Sequence, residues 1–290
     1  MHAEWAIKAM NAGKHVLVEK PIGMNQYEAQ AMIEAAIANK VFLMEAYMCR
    51  CHPQTAKLVE LIKSKAIGDV SVIPATFSFH AGFKPESRIW SNALAGGGIM
   101  DVGGYTTSIS RLIAGAALGK TFADPLAVTG AGSLHAETGV DAWAVGTLKF
   151  DANIVATIAT GVGVNQENVV RIFGSEGHIV VPSPYAMNRE GNAPAKIILK
   201  KTAEKEAKEI ILDTNVTSYT LEADVVGKAI RAGRQQSDEM SRDDTLGNIR
   251  AQDAWRAAIG PRTLAEIRST VKALDVNLTP KEMKYLNLEA

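Results

Sequence analysis

The sequence predicts a chain in two parts: a partial parallel sheet of doubly wound α/β type, then an α+β domain with a large, open and mostly antiparallel sheet. Near the amino end, short apolar runs alternate with helical patterns, as in parallel strands joined by crossover helices. After Gly68, the pattern changes to many strands rich in β-branched and aromatic residues and separated by short turns. We therefore expect a parallel unit over residues 1–47, the second domain over 48–260 and a helical tail over 261–290.

The first part contains two predicted helices and two predicted buried strands. Apolar spacing predicts helices over Ala3–Ala12 and Gln26–Asn39, the second capped by Asn25. The short apolar runs His15–Val18 and Val41–Met44 are typical of buried parallel strands.

The second part begins with an amphipathic helix from Pro53 to about Ala66. Strand patterns then follow at Val70–Phe79, Ala127–Leu134, Ala142–Phe150, Ile154–Thr160, Val169–Phe173, His178–Val181 and Lys196–Lys200. Helical patterns lie at Tyr105–Ala114, Tyr219–Ala232 and Asp244–Ile259. The charged stretch Lys200–Glu209 is expected to be a turn or loop, because connections within sheets are usually short.

The composition excludes several classes of function. Lys+Arg and Asp+Glu both number 31, so no basic face for nucleic acid or an anionic membrane is implied. No apolar run approaches the roughly 20 residues that cross a bilayer, and the first residues do not resemble a signal peptide. Cys49 and Cys51 are too close in sequence for an unstrained disulfide, and the six histidines form no ligand-spaced cluster. We expect a cytoplasmic protein with reduced thiols and no metal.

The segment His15–Pro21 carries the first candidate for chemistry. Lys20 directly follows a predicted buried strand, so it lies at the carboxyl edge of a parallel sheet, where ligands of open α/β sheets bind. There its ammonium could donate to a substrate oxygen. From this segment alone, a solvated lysine at a strand end is an equally good interpretation.

The glycine-rich segment Gly96–Tyr105 carries the second candidate. Asp101 and Tyr105 are one helical turn apart, so both side chains can face the same side. A tyrosine beside a lysine ammonium can exchange a proton with an alcohol–ketone pair, and the ammonium is expected to lower the tyrosine pKa. Taken alone, Tyr105 is better explained as a packing residue at a helix start.

Several motifs together resemble one family. Glu19-Lys20-Pro21, Glu45-Ala46 with Arg50 and Pro53, Pro85–Arg88, and Gly97-Gly98 with Asp101, Gly103 and Tyr105 occur in the order of the Gfo/Idh/MocA oxidoreductases. The chain is most similar to the branch of glucose–fructose oxidoreductase and dimeric dihydrodiol dehydrogenase. The resemblance runs from His2 to about Gly260.

The resemblance implies an oxidoreductase that uses NAD or NADP in a Rossmann-type domain and acts on a sugar, polyol or related cyclic alcohol. It implies that Lys20 contacts the substrate oxygen and the cofactor ribose, that Tyr105 is the general acid/base, and that Asp101 orients the substrate or the tyrosine. Glu19, Pro21 and Arg50 are then expected at the cofactor. A homo-oligomer formed through the open sheet is a further expectation.

The sequence departs from the family at both ends. Members of the family begin with a strand and a Gly-x-Gly-x-x-Gly/Ala turn that binds the cofactor pyrophosphate. At about 30 residues per βαβ unit, roughly 60 or more residues of that part are not in this sequence. We therefore expect an unpaired sheet edge. The tail from Pro261 resembles the last segment of aldo-keto reductases, without a barrel before it, and is expected to form two short helices without a catalytic role.

These departures leave other functions open. Without the phosphate-binding turn, the chain could be a non-catalytic binding or assembly module. Relatives that hydrolyse glycosides with bound NAD supply a third hypothesis. Retention of Lys20, Asp101 and Tyr105 together favours the oxidoreductase.

Overall fold

A computed structural model describes residues 1–187 and 194–260. The amino-terminal part is a two-stranded parallel sheet of β1 (Val16–Glu19) and β2 (Leu43–Ala46). The helices α1 (His2–Asn11) and α2 (Gln26–Ala38) pack against each other, and α1 also packs on β1. The predicted strand–helix–strand arrangement is therefore confirmed, with both strands displaced by one or two residues.

Helix α2 begins where the sequence predicts. The side-chain oxygen of Asn25 accepts hydrogen bonds from the N–H groups of Tyr27 and Glu28, at 3.0 Å each. The cap satisfies two of the N–H groups that a helix start leaves without partners. Ala29, Met32 and Ala36 are fully buried in a core that they share with Met10 of α1. The same core includes residues of β1 and β2, so it holds the two strands against the two helices.

A 3-10 helix over Met48–Cys51 and helix α3 (Pro53–Lys63) lead into an eight-stranded sheet. Its strands are β3 (Val70–Ser78), β4 (Ala127–Leu134), β5 (Asp141–Lys149), β6 (Val155–Gly161), β7 (Val169–Gly174), β8 (Gly177–Val181), β9 (Ala195–Lys201) and β10 (Lys208–Leu212). Their spatial order is β10-β9-β8-β7-β3-β6-β5-β4. All neighbouring pairs are antiparallel except β3 and β6, which are parallel. The predicted fold class, with a mostly antiparallel sheet, is confirmed.

One face of this sheet is covered and the other is open. Helices α4 (Gly104–Ala117) and α6 (Arg242–Ile259) pack on the covered face, and α5 (Ser218–Arg231) packs on the 3-10 helix 48–51. Strand β5 shows the alternation, because Ala144 and Leu148 are buried while Trp143 and Val145 are more than 40% exposed. Helix α6 also contacts β2, so it joins the small sheet to the large one.

The prediction for Lys200–Glu209 was partly wrong. The turn occupies only the middle of this stretch, and a tenth strand, β10, pairs with β9 from Lys208 to Leu212. This strand is at the sheet edge and has charged residues at its start, which masks the strand pattern in the sequence. The two predicted tail helices lie outside the described residues. The division into domains at residues 47 and 260 stays a prediction.

Candidate active site

Lys20 lies immediately beyond β1, at the carboxyl edge of the parallel pair. The Lys20–Pro21 peptide bond is cis, and the Ile22 N–H donates to Glu45 Oε1 of β2 at 2.8 Å. This hydrogen bond ties the turn after β1 to the end of β2. Glu45 is buried, and burial raises the pKa of its carboxyl to about 7. Glu19, the last residue of β1, is exposed at the same edge.

Asp101 lies in a π-helical turn, Ile99–Gly103, that continues directly into α4. Such turns are rare in proteins as a whole, and those that occur often lie at functional sites. Asp141 anchors the start of the turn, because its Oδ2 accepts a hydrogen bond from the Ile99 N–H at 2.8 Å. Asp141 is 5% exposed, and burial raises its pKa to about 7. Gly97 has a φ of +102° and lies against the Asp141 carboxyl, where a Cβ would come within 2.2 Å of an oxygen.

The structure brings Lys20 and Asp101 into contact. Lys20 Nζ donates to the main-chain oxygen of Asp101 at 2.5 Å and lies 3.4 Å from Asp101 Oδ1. Arg88 Nη1 donates to the same Oδ1 at 2.8 Å. Asp101 and Lys20 are 5% and 16% exposed in their side chains, whereas Arg88 is 68% exposed. The buried Asp101 carboxylate is therefore in contact with two cations, the largely buried Lys20 ammonium and the exposed Arg88 guanidinium.

Tyr105, in the first turn of α4, completes the cluster. Lys20 Nζ lies 5.3 Å from the centre of its ring. The ring is 7% exposed and is held edge-on by Tyr47, Phe77 and Tyr185, with ring centres 4.9, 5.2 and 5.7 Å away. This aromatic packing fixes the direction of the phenol, because a buried ring without space around it keeps one orientation.

The expected lowering of the Tyr105 pKa is wrong. Its pKa is raised, chiefly by burial and then by the nearby Cys49, Tyr219, Glu19 and Glu222. Burial disfavours the phenolate, and neighbouring negative charge disfavours it further. The expectation counted only the Lys20 ammonium, whereas the fold adds the buried surroundings and two carboxyl groups. Tyr105 is therefore protonated at neutral pH.

Arg50 lies in the interior. Its guanidinium donates to Ser108 Oγ at 2.9 Å and to Asp244 Oδ2 at 2.6 Å, and the side chain is 4% exposed. The other oxygen of Asp244 binds Arg111, which is fully buried. This geometry makes Arg50 part of the scaffold that joins the 3-10 helix 48–51 to α4 and α6, and its expected position at the cofactor stays a prediction. The resemblance could not reveal this, because the partners are separated by up to 194 residues in the chain.

Three residues near Tyr105 or Asp101 escaped the sequence reasoning: Asp141, Tyr185 and Glu222. Each is buried, and Tyr185 Oη and Glu222 Oε1 have no hydrogen-bond partner within the described part of the chain. Glu222 was detectable in principle, because it is an acidic residue on the apolar face of a predicted helix. His52 caps α3 by accepting from the Gln54 N–H, which agrees with a structural role.

The residues at the edge of β1 fit the ribose and nicotinamide half of NAD(P). The exposed Glu19 carboxylate can accept hydrogen bonds from hydroxyl groups, and Lys20 offers donors to oxygen atoms. In contrast, no group of His, Cys, Asp or Glu side chains among residues 1–187 and 194–260 is arranged to hold a metal ion. Within the same residues, no helix is both long and apolar enough to cross a membrane.

Comparison with known proteins gives consistent matches for both parts of the chain. A model of the NAD-binding Rossmann fold of the GFO/IDH/MocA oxidoreductase family matches residues 1–47, and a model of the GFO/IDH/MocA C-terminal domain matches residues 55–180. The trans-1,2-dihydrobenzene-1,2-diol dehydrogenase of Xenopus tropicalis is 31% identical over 252 residues, which are 84% of this chain and 71% of that protein.

Two further matches extend this similarity. D-xylose 1-dehydrogenase (NADP(+)) 2 of Haloferax volcanii is 28% identical over 88% of this chain and 73% of its own length. The crystal structure of aldose-aldose oxidoreductase from Caulobacter crescentus has the same fold, with a TM-score of 0.77 and 24% identity over 89% of this chain and 73% of that one.

Proposed function

The chain belongs to the GFO/IDH/MocA oxidoreductase family, and from this premise we propose that it transfers hydride between NAD(P) and a carbon of a sugar, polyol or related cyclic alcohol. The observation that carries the proposal is the convergence of Lys20, Asp101 and Tyr105 at the carboxyl edge of the parallel strands. NAD(P), when bound, supplies the carbon that donates or accepts hydride. The chain supplies position and charge.

Lys20 is proposed to hold the substrate oxygen. An ammonium has three N–H donors, and two of them are directed at the main chain and the carboxylate of Asp101. The third can bind the carbonyl or alcohol oxygen of the substrate. Because Asp101 anchors the amine, this positive charge is already in place where negative charge develops on the oxygen during reduction.

Tyr105 is proposed to move the proton. Its phenol is protonated at neutral pH, since burial and the nearby acidic groups raise its pKa. It is therefore suited to donate a proton to a carbonyl oxygen while the carbon receives hydride. In the opposite direction the phenolate left by this transfer takes the proton back from the alcohol while the carbon gives up hydride.

The names of the relatives support the substrate class. The similar proteins include a D-xylose dehydrogenase and dehydrogenases of a trans-dihydrodiol, whose substrates share a ring with neighbouring hydroxyl groups. The candidate site offers a mixture of carboxylates, an ammonium and phenols, which suits neutral hydroxylated molecules. A non-catalytic assembly module is not favoured, because that role does not require these side chains to converge.

The first test is titration of the purified chain with NADH and NADPH, followed by nicotinamide fluorescence. We expect saturable binding, and then reduction of the oxidised cofactor in the presence of D-xylose or D-glucose. The absence of binding at millimolar cofactor would contradict the proposal for this chain. If the cofactor stays bound and unreduced while a glycoside is cleaved, the hydrolytic alternative gains support.

Two variants test the assigned roles. Tyr105→Phe should lower kcat by about 10²–10⁴-fold, the usual contribution of a positioned acid or base. Lys20→Ala should lower it by about 10²–10³-fold through loss of preorganised charge at the substrate oxygen. Tyr27→Phe is the matched control, because Tyr27 is 76% exposed on α2. Undiminished rates in both variants would refute the assignment.

The proposal also includes assembly and location. The open sheet face exposes Val72, Trp143, Val145 and Phe173, and we propose that it forms contacts between copies of the chain. Val145→Glu should then reduce the apparent mass in size-exclusion chromatography. A cytoplasmic location is proposed from the free thiols of Cys49 and Cys51. Cell fractionation of the tagged protein tests this part.

A further inference from the structure

Glu222, on helix α5, is a buried acidic residue that the proposed mechanism does not use. The residue is 4% exposed, and its Oε1 has no hydrogen-bond partner within the described part of the chain. A buried polar atom without a partner costs about 1–3 kcal/mol, so its presence requires an explanation. Such costly groups are expected at functional or strained sites.

The position of Glu222 is fixed by the start of its helix. The Thr217 side chain caps α5 by accepting from the Thr220 N–H, and the buried Ser218 hydroxyl donates to the main-chain oxygen of Met187. Glu222 follows Ser218 by four residues, so both lie on the same face of the helix. This face packs on the 3-10 helix 48–51, which contains Cys49. The carboxyl is therefore held against the protein and not in solvent.

Helix α5, which carries Glu222, packs next to residues that contact Tyr105. The 3-10 helix 48–51 under α5 directly follows Tyr47, whose ring centre is 4.9 Å from that of Tyr105, and Ser218 binds Met187, two residues after Tyr185. Tyr185 stacks on Phe77 with ring centres 4.6 Å apart and touches the ring of Tyr105, and its own Oη also lacks a partner among the described residues. Tyr185 therefore lies beside the proposed proton donor, and Glu222 lies on the helix that packs next to it.

We propose that Glu222 accepts a hydrogen bond from a substrate hydroxyl next to the reacting carbon, and so selects neutral polyhydroxylated substrates. The proposal rests on the proposed function, because it assigns a second contact in the same site. In either protonation state the carboxyl keeps an oxygen that accepts hydrogen bonds, so a hydroxyl donor fits it. The nearby Glu19 makes an anionic ligand unfavourable at this position, whereas a neutral hydroxyl satisfies the oxygen without adding charge.

The test compares one sugar with its deoxy analogue. We expect Glu222→Leu to lower kcat/KM for D-glucose by about 10–100-fold, the range for a lost hydrogen bond to a charged group. The loss should arise mainly in KM. For 2-deoxy-D-glucose the same variant should change kcat/KM less than about twofold, because the missing hydroxyl cannot use the carboxylate. Glu222→Gln should be intermediate for D-glucose.

Asp224→Asn is the matched control, because Asp224 is an exposed acid on the same helix. It should leave both sugars unaffected. Equal losses for the two sugars, or no loss for D-glucose, would overturn the assignment of Glu222. If the unmodified chain reduces NAD(P) with neither sugar, the proposed function fails first, and a second measurement then decides on Glu222.

That second measurement is urea denaturation of Glu222→Leu without any ligand. A carboxyl whose role is to bind substrate does not stabilise the folded state. The urea concentration at the unfolding midpoint should therefore stay constant or rise. A clear fall in the midpoint would mean that the carboxyl holds the structure together, which would overturn the proposal independently of activity.

Discussion

Two clusters of charge in this molecule are built from similar side chains but differ in how completely they are paired. The buried ion network consists of Arg50, Arg111 and Asp244, with the exposed Asp124 at its rim. Asp244 lies between the two arginines, with each of its oxygens 2.6 Å from a guanidinium nitrogen. Arg111 also reaches Asp124 at 2.6 Å. Each carboxylate of this network is therefore bound by a guanidinium group.

The active-site cluster consists of Lys20, Arg88, Asp101 and Tyr105. One oxygen, Asp101 Oδ1, is shared by Arg88 at 2.8 Å and Lys20 at 3.4 Å. Two buried polar atoms, Tyr185 Oη and Glu222 Oε1, have no hydrogen-bond partner among residues 1–187 and 194–260. From this difference we infer that a fully paired ion network serves the scaffold, whereas polar side chains without partners are available to bind a ligand. The predictions below test this distinction.

The largest effect is expected in the buried ion network. Asp244→Ala leaves two buried guanidinium groups without their shared partner, so the free energy of unfolding should fall by about 3–5 kcal/mol. Urea denaturation measures it. Asp124→Ala is the control, because Asp124 is 56% exposed and Arg111 then keeps Asp244. A loss below about 1 kcal/mol for Asp244→Ala would contradict the structural role.

A smaller effect, of a different kind, is expected at Asp101. Asp101→Asn keeps the main-chain oxygen that receives the Lys20 hydrogen bond but removes the negative charge. We expect kcat/KM to fall by about 10–100-fold while the free energy of unfolding changes by less than about 1 kcal/mol. Steady-state kinetics and denaturation of the same preparation give both values. A large loss of stability at unchanged kcat/KM would assign this cluster to the scaffold instead.

The sequence was sufficient for most elements of the fold. The strand Ala127–Leu134 has the predicted bounds, and the cap at Asn25 forms as expected, because both depend on local pattern. The parallel pairing of β3 with β6 depends on contacts across about 80 residues, so no local pattern shows it. The edge strand β10 was missed because charged residues at its start mask the strand pattern, and the π-helical turn at Asp101 was also not predicted.

The candidate site was predictable only in part. Lys20, Asp101 and Tyr105 were identified from motifs, and the structure brings them together, but their catalytic roles stay predictions. The direction of the Tyr105 pKa and the burial of Arg50 depend on tertiary surroundings. Motifs report which residue types occur along the chain, whereas desolvation depends on what packs around them.

The pH dependence of stability gives a third test. Burial raises the pKa values of Glu45, Asp141 and Glu222 to about 7, from ordinary values of 4.5, 3.8 and 4.5. The folded state therefore binds more protons than the unfolded state between about pH 4 and 7. Their contribution to stability is full below about pH 4 and is lost as the pH rises through about 7.

Each group should contribute at most about 1.4 kcal/mol per pH unit to this decline. Glu222→Gln removes one of the three groups and should flatten the decline, which urea denaturation at several pH values detects. The exposed acid of Asp224 again serves as the control. Stability that rises steadily from pH 5 to 7 in the unmodified chain would show that these carboxyls are ionised without cost.

The smallest effect is expected at Arg88, which belongs to the active-site cluster but lies largely at the protein surface. Its guanidinium contacts the buried Asp101 carboxylate but is itself 68% exposed, so solvent and salt screen the pair. Exposed pairs contribute about 0.2–1 kcal/mol, and Arg88→Ala should therefore lower kcat/KM by no more than about fivefold. The effect should shrink further at 1 M salt, and Arg88→Lys should restore most of it. A loss near 100-fold that salt does not reduce would mean that Arg88 binds the substrate or cofactor directly. The active-site cluster would then begin at the protein surface, and Arg88 would belong to the ligand site together with Lys20 and Tyr105.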